Sequence, residues 1–168
     1  MSYVRKVLLP GEQVVYETGL HPILLARPVL LLVAALVPAI GAFYVQGGAP
    51  QLALLALAAA VAFIGVVVLI AVLLRRAGTE LAVTDQRVVY KRGLISRHTI
   101  EMNRGKVESV DVDQSLWGRL FGYGTVQVRG TGGSLEPMAM IRDPIALRSC
   151  ITAEPVRTAP RPGAGATG

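Results

Sequence analysis

Few residues in this 168-residue chain have types and spacing that could do chemistry. His21 and His98 lie far apart, with no Cys, Asp or Glu at metal-ligand spacing around either, so both read as surface or hydrogen-bonded residues. No nucleophile elbow, phosphate-binding loop or pair of catalytic carboxylates stands in a recognisable setting. Gly130-Thr131-Gly132-Gly133 is glycine-rich, but it joins two strand-like runs and so reads as a hairpin turn. Cys150 is the single cysteine, which rules out an internal disulfide. The expectation is a non-enzymatic protein with no cofactor, no metal and no small-molecule substrate.

The remaining candidates could meet lipid headgroups. Arg75, Arg76, Lys91, Arg92 and Arg97 gather cationic side chains near one point of the chain or one hairpin from it. Near an anionic leaflet each such charge contributes about 1 kcal/mol, although Arg75 and Arg76 also serve as simple anchors of topology. The anchoring role is the preferred one. The segment Leu116–Gly124 holds Trp117, Arg119 and Phe121 among three glycines. Trp117 and Phe121 could wedge into the headgroup region with Arg119 on lipid phosphate. Alternatively, Trp117, Leu120 and Phe121 share one face of a helical turn that plugs a sheet. The spacing favours the plug.

What positions these groups is an unusually oily chain. Hydrophobic residues make up 52% and charged residues 17%, and no charged residue lies between Arg27 and Arg75. A water-facing helix needs a polar side, so this run is read as two membrane spans, 28–45 and 52–74. A turn of breakers and amides, 46–51, separates them. Arg27 precedes the first span, Arg75 and Arg76 close the second, and the intervening turn has no cation. The positive-inside rule then places both termini in the cytoplasm. Pro38 is expected to kink the first span. The small pairs Ala35/Ala39, Ala56/Ala60 and Ala58/Ala62 suit close helix packing, within the hairpin rather than between chains. Neither span holds an ionisable group, so pump or transporter chemistry has no visible residues. The net charge of +6 is dispersed without a basic stripe, which argues against nucleic acid.

After Arg76 the texture becomes that of an antiparallel β domain. Strands are expected at 80–84, 87–91, 94–102, 106–112, 125–129 and 135–141, with a bulge near Ser109. Asp143-Pro144 is expected to open a helix over 144–151, with Asp143 as N-cap. The layout is a cytoplasmic segment 1–27, a hairpin 28–76, a β domain 79–151 on a short Ala77-Gly78 linker, and a disordered tail 152–168. A partly open sheet leaves an edge that Val14-Val15-Tyr16 could fill, from the same chain or a neighbouring one.

Thr84-Asp85-Gln86-Arg87-Val88, then Arg92-Gly93, Gln114-Ser115 and Phe121-Gly122-Tyr123-Gly124-Thr125, resemble the membrane-flanked bacterial pleckstrin-homology-like (bPH2) family over about 79–147. Gly11-Glu12-Gln13 and His21-Pro22-Ile23 ahead of two spans fit its membrane-embedded members. The resemblance implies a transmembrane α-helical hairpin plus a small all-β pleckstrin-homology-like domain, a bent antiparallel sheet or open barrel with a C-terminal capping helix. It also implies no enzymatic activity and a bacterial inner-membrane location. The functional expectation is an interaction or scaffold module in a homo-oligomer or membrane complex, its partners the lipid bilayer and a second copy or another membrane protein. The alternatives are an anionic-lipid-sensing module and, least favoured, a subunit of an assembled channel or transporter.

Overall fold

The computed structural model describes residues 7–45, 47–94, 98–131, 133–134 and 136–153. Helix α1, Ala26–Tyr44, follows a short 3-10 turn at Pro22–Leu25. The turn is capped by His21, whose Nδ1 accepts from the Ile23 N–H at 3.1 Å. Helix α2 runs through 31 residues, Gly48–Gly78. Both helices are long and apolar enough to cross a membrane. Their large side chains face outward: Leu30, Val37, Phe43 and Phe63 are all exposed. A core helix of a soluble protein would bury that surface, whereas here it is left outward as a transmembrane hairpin requires.

The inner face of the hairpin is built from small residues. Ala35 and Ala42 of α1 are buried against Ala58 and Gly65 of α2. A Cβ added at Gly65 would lie 2.9 Å from Leu32 Cδ2, so the glycine permits the close approach. Of the expected small pairs, Ala35/Ala39 and Ala58/Ala62 lie on this seam, while Ala56 and Ala60 face away from it. Pro38 sits half-buried on the same seam and leaves α1 continuous. The connection is tighter than the expected 46–51 turn, because α2 already begins at Gly48. Gln51 makes that possible: its side chain accepts from Gly47 N–H at 3.0 Å and donates to Ala42 C=O at 3.3 Å.

Strand β1, Val14–Thr18, precedes the hairpin, and the other strands follow it. They are β2 Glu80–Thr84, β3 Arg87–Arg92, β4 His98–Asn103, β5 Val107–Asp113, β6 Tyr123–Gly130, β7 Gly133–Ser134 and β8 Met138–Arg142. Two antiparallel sheets result, one ordered β1-β2-β3-β4, the other β5-β6-β7 with β8 also on β6. Val107/Ser109 carries the expected register shift. A bridge between Leu20 and Ile141 joins the two sheets beside the hairpin. Between the sheets Leu81, Val83, Val88, Val126, Val128, Met138 and Ile141 form the core. Short helix α3, Leu116–Phe121, lies between β5 and β6, and α4, Pro144–Thr152, adds Leu147 and Ile151 to the core.

The edge strand question has an answer: β1 pairs with β2 of its own chain, Tyr16 opposite Val83 and Thr18 opposite Leu81. The β domain is therefore assembled from both flanks of the hairpin, with residues 14–18 supplying its first strand. Burial completes the strand. Leu81 and Val83 face the core, while Ala82 packs with Val89 and Val14 on the other side.

Two further expectations are refined. Asp143 stands at the N-cap of α4, its C=O accepting from Leu147 N–H at 3.1 Å, but in a left-handed conformation, φ 47°, and without a capping hydrogen bond through its side chain. Its N–H donates to Gly122 C=O at 3.0 Å. Ala77-Gly78 is not an extended linker, since α2 includes both residues. Thr79 then caps the helix by donating from Oγ1 to Arg75 C=O at 2.9 Å, and β2 starts at once.

The end of the β domain away from the hairpin is held by charge. The Glu12 carboxylate, buried, accepts from Leu9 N–H, Thr84 Oγ1 and both Nε and Nη2 of Arg87, all within 2.7–2.9 Å. Arg87 also pairs with Glu101. Burial pushes the Glu12 carboxyl up, but the hydrogen bonds from Arg87, Leu9 and Thr84 outweigh it and hold the group below its ordinary range. Arg104 closes α4 by donating to the carbonyls of Cys150, Ile151 and Ala153.

Candidate functional site

The groups expected to meet lipid lie at the end of the β domain that joins the hairpin, in two sets. The first set stands at the end of α2. Arg75 and Arg76 occupy its last turn, Arg75 exposed and Arg76 half-buried. Gly78 abuts the β3–β4 connection so closely that a Cβ there would lie 2.9 Å from Leu94 N and 3.0 Å from Gly93 C. This contact brings the end of β3 beside the helix. Lys91 pairs in register with Glu80, and Arg92 meets Glu136 at 3.3 Å in an exposed ion pair. Exposed pairs of this kind contribute about 0.2–1 kcal/mol, so Arg92 is only weakly committed to it. Arg97 lies outside the described residues.

The second set is α3, at the start of α1. Ser115 caps it by accepting from Gly118 N–H at 3.0 Å, and Gly122 ends it in the left-handed conformation with φ 73°. Only Gly118 of the helix is buried, and a Cβ there would lie 2.6 Å from Tyr123 O. Glycine is therefore the face that packs. The apolar stripe points the other way: Leu116 is 83% exposed, Trp117 65%, Leu120 70% and Phe121 49%. The plug expected from i, i+3, i+4 spacing is thus overturned. The rings of Trp117 and Phe121 stack on each other, centroids 6.1 Å apart, on the outside of the domain. Arg119 stands on the same short helix.

The placement of α3 follows from its continuation. Gly122 leads into Tyr123, which opens β6 opposite Arg142. The Tyr123 ring lies 5.5 Å from the His21 ring, and His21 immediately precedes the turn into α1. His21 N–H donates to Met140 C=O at 2.7 Å, fixing the start of the hairpin to β8. Burial pushes the His21 imidazole below its ordinary range, with Arg142 and Arg76 acting in the same sense and Asp143 opposing. The exposed apolar helix therefore sits at the level where the chain enters its first span.

Sequence reasoning missed Glu12, Arg87 and His21 as organising residues. Gly118, in the middle of the aromatic stripe, was the available signal that the turn packs through its glycine. His98 is exposed on β4, and among the described residues no group of three or more His, Cys, Asp or Glu is placed to hold a metal.

A PH-like β domain whose sheet is completed from both sides of a transmembrane hairpin defines the class of protein. The family model for the bacterial PH domain matches residues 23–159, and the chain belongs to that family. The match runs through both helices and the β domain but begins after β1. Among curated proteins and among solved structures no match was found.

Proposed function

We propose that this chain is a non-enzymatic, multi-pass protein of a bacterial inner membrane, with both termini cytoplasmic, that holds its PH-like module docked on the cytoplasmic leaflet. The outward faces of that module serve as an interaction or scaffold surface, in a homo-oligomer or with another membrane protein. The observation that carries this reading is the pair of rigid junctions. β1 feeds α1 through the His21 cap, and α2 passes into β2 at Thr79. A module tied at both ends is held in one orientation, as presentation of a surface requires. Lysine and arginine placement supports the cytoplasmic assignment.

The exposed α3 favours a second reading, in which the module also senses anionic lipid. Four large apolar side chains on six residues form a wedge, with Trp117 and Phe121 at headgroup depth and Arg119, Arg75, Arg76, Lys91 and Arg92 around it. Trp117 is the single tryptophan, so its fluorescence reports the wedge directly. In proteoliposomes of the full chain, lipids brominated on their acyl chains should quench Trp117 while aqueous iodide does not. Quenching by iodide alone would end the docking proposal. Protection from both quenchers would instead place the wedge in a protein contact. Dependence on the fraction of anionic lipid separates sensing from simple docking.

A further inference from the structure

Where β1 ends, β8 ends and α2 leaves its apolar stretch, the structure leaves an open cavity of about 640 Å³. Leu20 and Leu73 line it together with Arg76, Arg142, Glu17 and Asp143. The volume lies within the ~300–1,000 Å³ usual for small-molecule sites. Leu73 is followed within two residues by the first charge after the spans, so the cavity begins at the boundary between lipid tails and headgroups.

The charges are arranged as two of each sign. Among the described residues none of these four side chains has an ion-pair partner within the domain. Arg76 Nε is buried with no hydrogen-bond partner, an arrangement folded proteins avoid unless something else supplies the acceptor. The Arg142-Asp143 pair is held from both sides. Arg142 N–H donates to Gly19 C=O at 3.1 Å, its C=O accepts from Thr18 Oγ1 at 3.1 Å, and Asp143 is tied to Gly122. Both arginines act on the nearby His21.

We infer that this cavity seats the headgroup of an ammonium-bearing phospholipid, with its phosphate on Arg76 and Arg142 and its ammonium on Glu17 and Asp143. A purely anionic headgroup satisfies the arginines and leaves two carboxylates facing like charge. A quaternary ammonium has no N–H to donate to those carboxylates, and among the described residues Tyr16 is the one ring lining the cavity, short of an aromatic cage. A primary ammonium matches both halves. The inference rests on the membrane docking proposed above, and of its four charged residues only Arg76 also stands among the cations around the wedge.

The test uses the full chain, delipidated in detergent and offered equal amounts of phosphatidylethanolamine, phosphatidylcholine and phosphatidylglycerol with identical acyl chains. Retained lipid is read by native mass spectrometry. Phosphatidylethanolamine should be retained several-fold over the other two, and soluble phosphoethanolamine, unlike phosphocholine, should compete. Arg142→Gln and Asp143→Asn should each abolish the preference; asparagine tolerates the left-handed backbone at 143. Glu17→Gln, on an exposed strand position, provides the same loss should either variant misfold, and Arg129→Gln, in an exposed pair with Asp111 outside every lipid-facing set, should leave the preference intact. Equal retention of the three lipids overturns the inference, as does a phosphatidylglycerol preference that rises in Asp143→Asn. Trp117 quenched by brominated lipid without headgroup preference overturns this inference alone, whereas Trp117 exposed to water overturns the docking on which it rests.

Discussion

The hairpin and the β domain are made of similar residues used in opposite ways. In the hairpin, Leu30, Val37 and Phe63 point outward and Ala35, Ala58 and Gly65 fill the seam. In the β domain, Leu81, Val83, Val126 and Ile141 point inward, and Arg87 and Glu101 reach the edge. The inversion follows from the solvent. Lipid is as apolar as leucine, so helices in it gain nothing by hiding large side chains and associate through close packing of small ones. Water drives the β domain to bury the same groups. Helix α3 breaks the pattern, as an outward-facing apolar stripe on the water-solvated half of the molecule, placed at its junction with the lipid-solvated half.

Substitutions can sharpen the contrast, with Cys150, the single cysteine and half-buried on α4, as a labelling reporter of β-domain unfolding. The largest effect is expected for Glu12→Ala, which opens a buried gap and leaves Arg87 with Glu101 as its one carboxylate partner, and should cost about 3–5 kcal/mol. Because the folded Glu12 carboxyl lies below its ordinary range, its contribution is present above about pH 4.5 and is lost as pH falls through the depressed folded value. The urea midpoint of β-domain unfolding, followed by far-ultraviolet circular dichroism, should therefore fall in acid for wild type, and Glu12→Gln should flatten that dependence. Leu81→Ala comes next, at about 2–5 kcal/mol for a fully buried side chain, whereas Leu30→Ala on the lipid face should leave the Cys150 labelling curve unmoved. Equal sensitivity at the two leucines would erase the contrast. Gly65→Val overpacks the seam against Leu32 and should cost the hairpin about 1–3 kcal/mol, measured by protease resistance in detergent. The smallest change is Arg92→Gln, at most about 1 kcal/mol, since its ion pair with Glu136 is exposed.

How much could be read beforehand varied with the range of the interaction. β2 falls where a short strand-like run before the Asp85-Gln86 turn placed it, and α4 where Pro144 opens it, because both signals are local. Asp143 stands at the cap as expected, but its left-handed backbone and its bond to Gly122, a partner distant in sequence, go with a side chain that makes no capping bond. The aromatic turn failed as a plug. Spacing shows that Trp117, Leu120 and Phe121 share a face, but which face packs depends on the clearance between Gly118 and Tyr123. Arg76 was visible as an interfacial cation, while Arg142 and Asp143, distant in the chain, drew no notice as its neighbours.

By itself, then, the sequence determined that two stretches must leave water, since no charge interrupts them and lipid tolerates nothing else at that length. It also determined that short antiparallel strands follow the hairpin, and the family to which the chain belongs. Only the tertiary structure decided that β1 returns to its own chain, that α2 runs without a break into the sheet, and that the aromatic stripe faces outward. Those outcomes turn on which surfaces meet across long stretches of chain, and a one-dimensional pattern records the existence of an apolar face but not the neighbour that covers it.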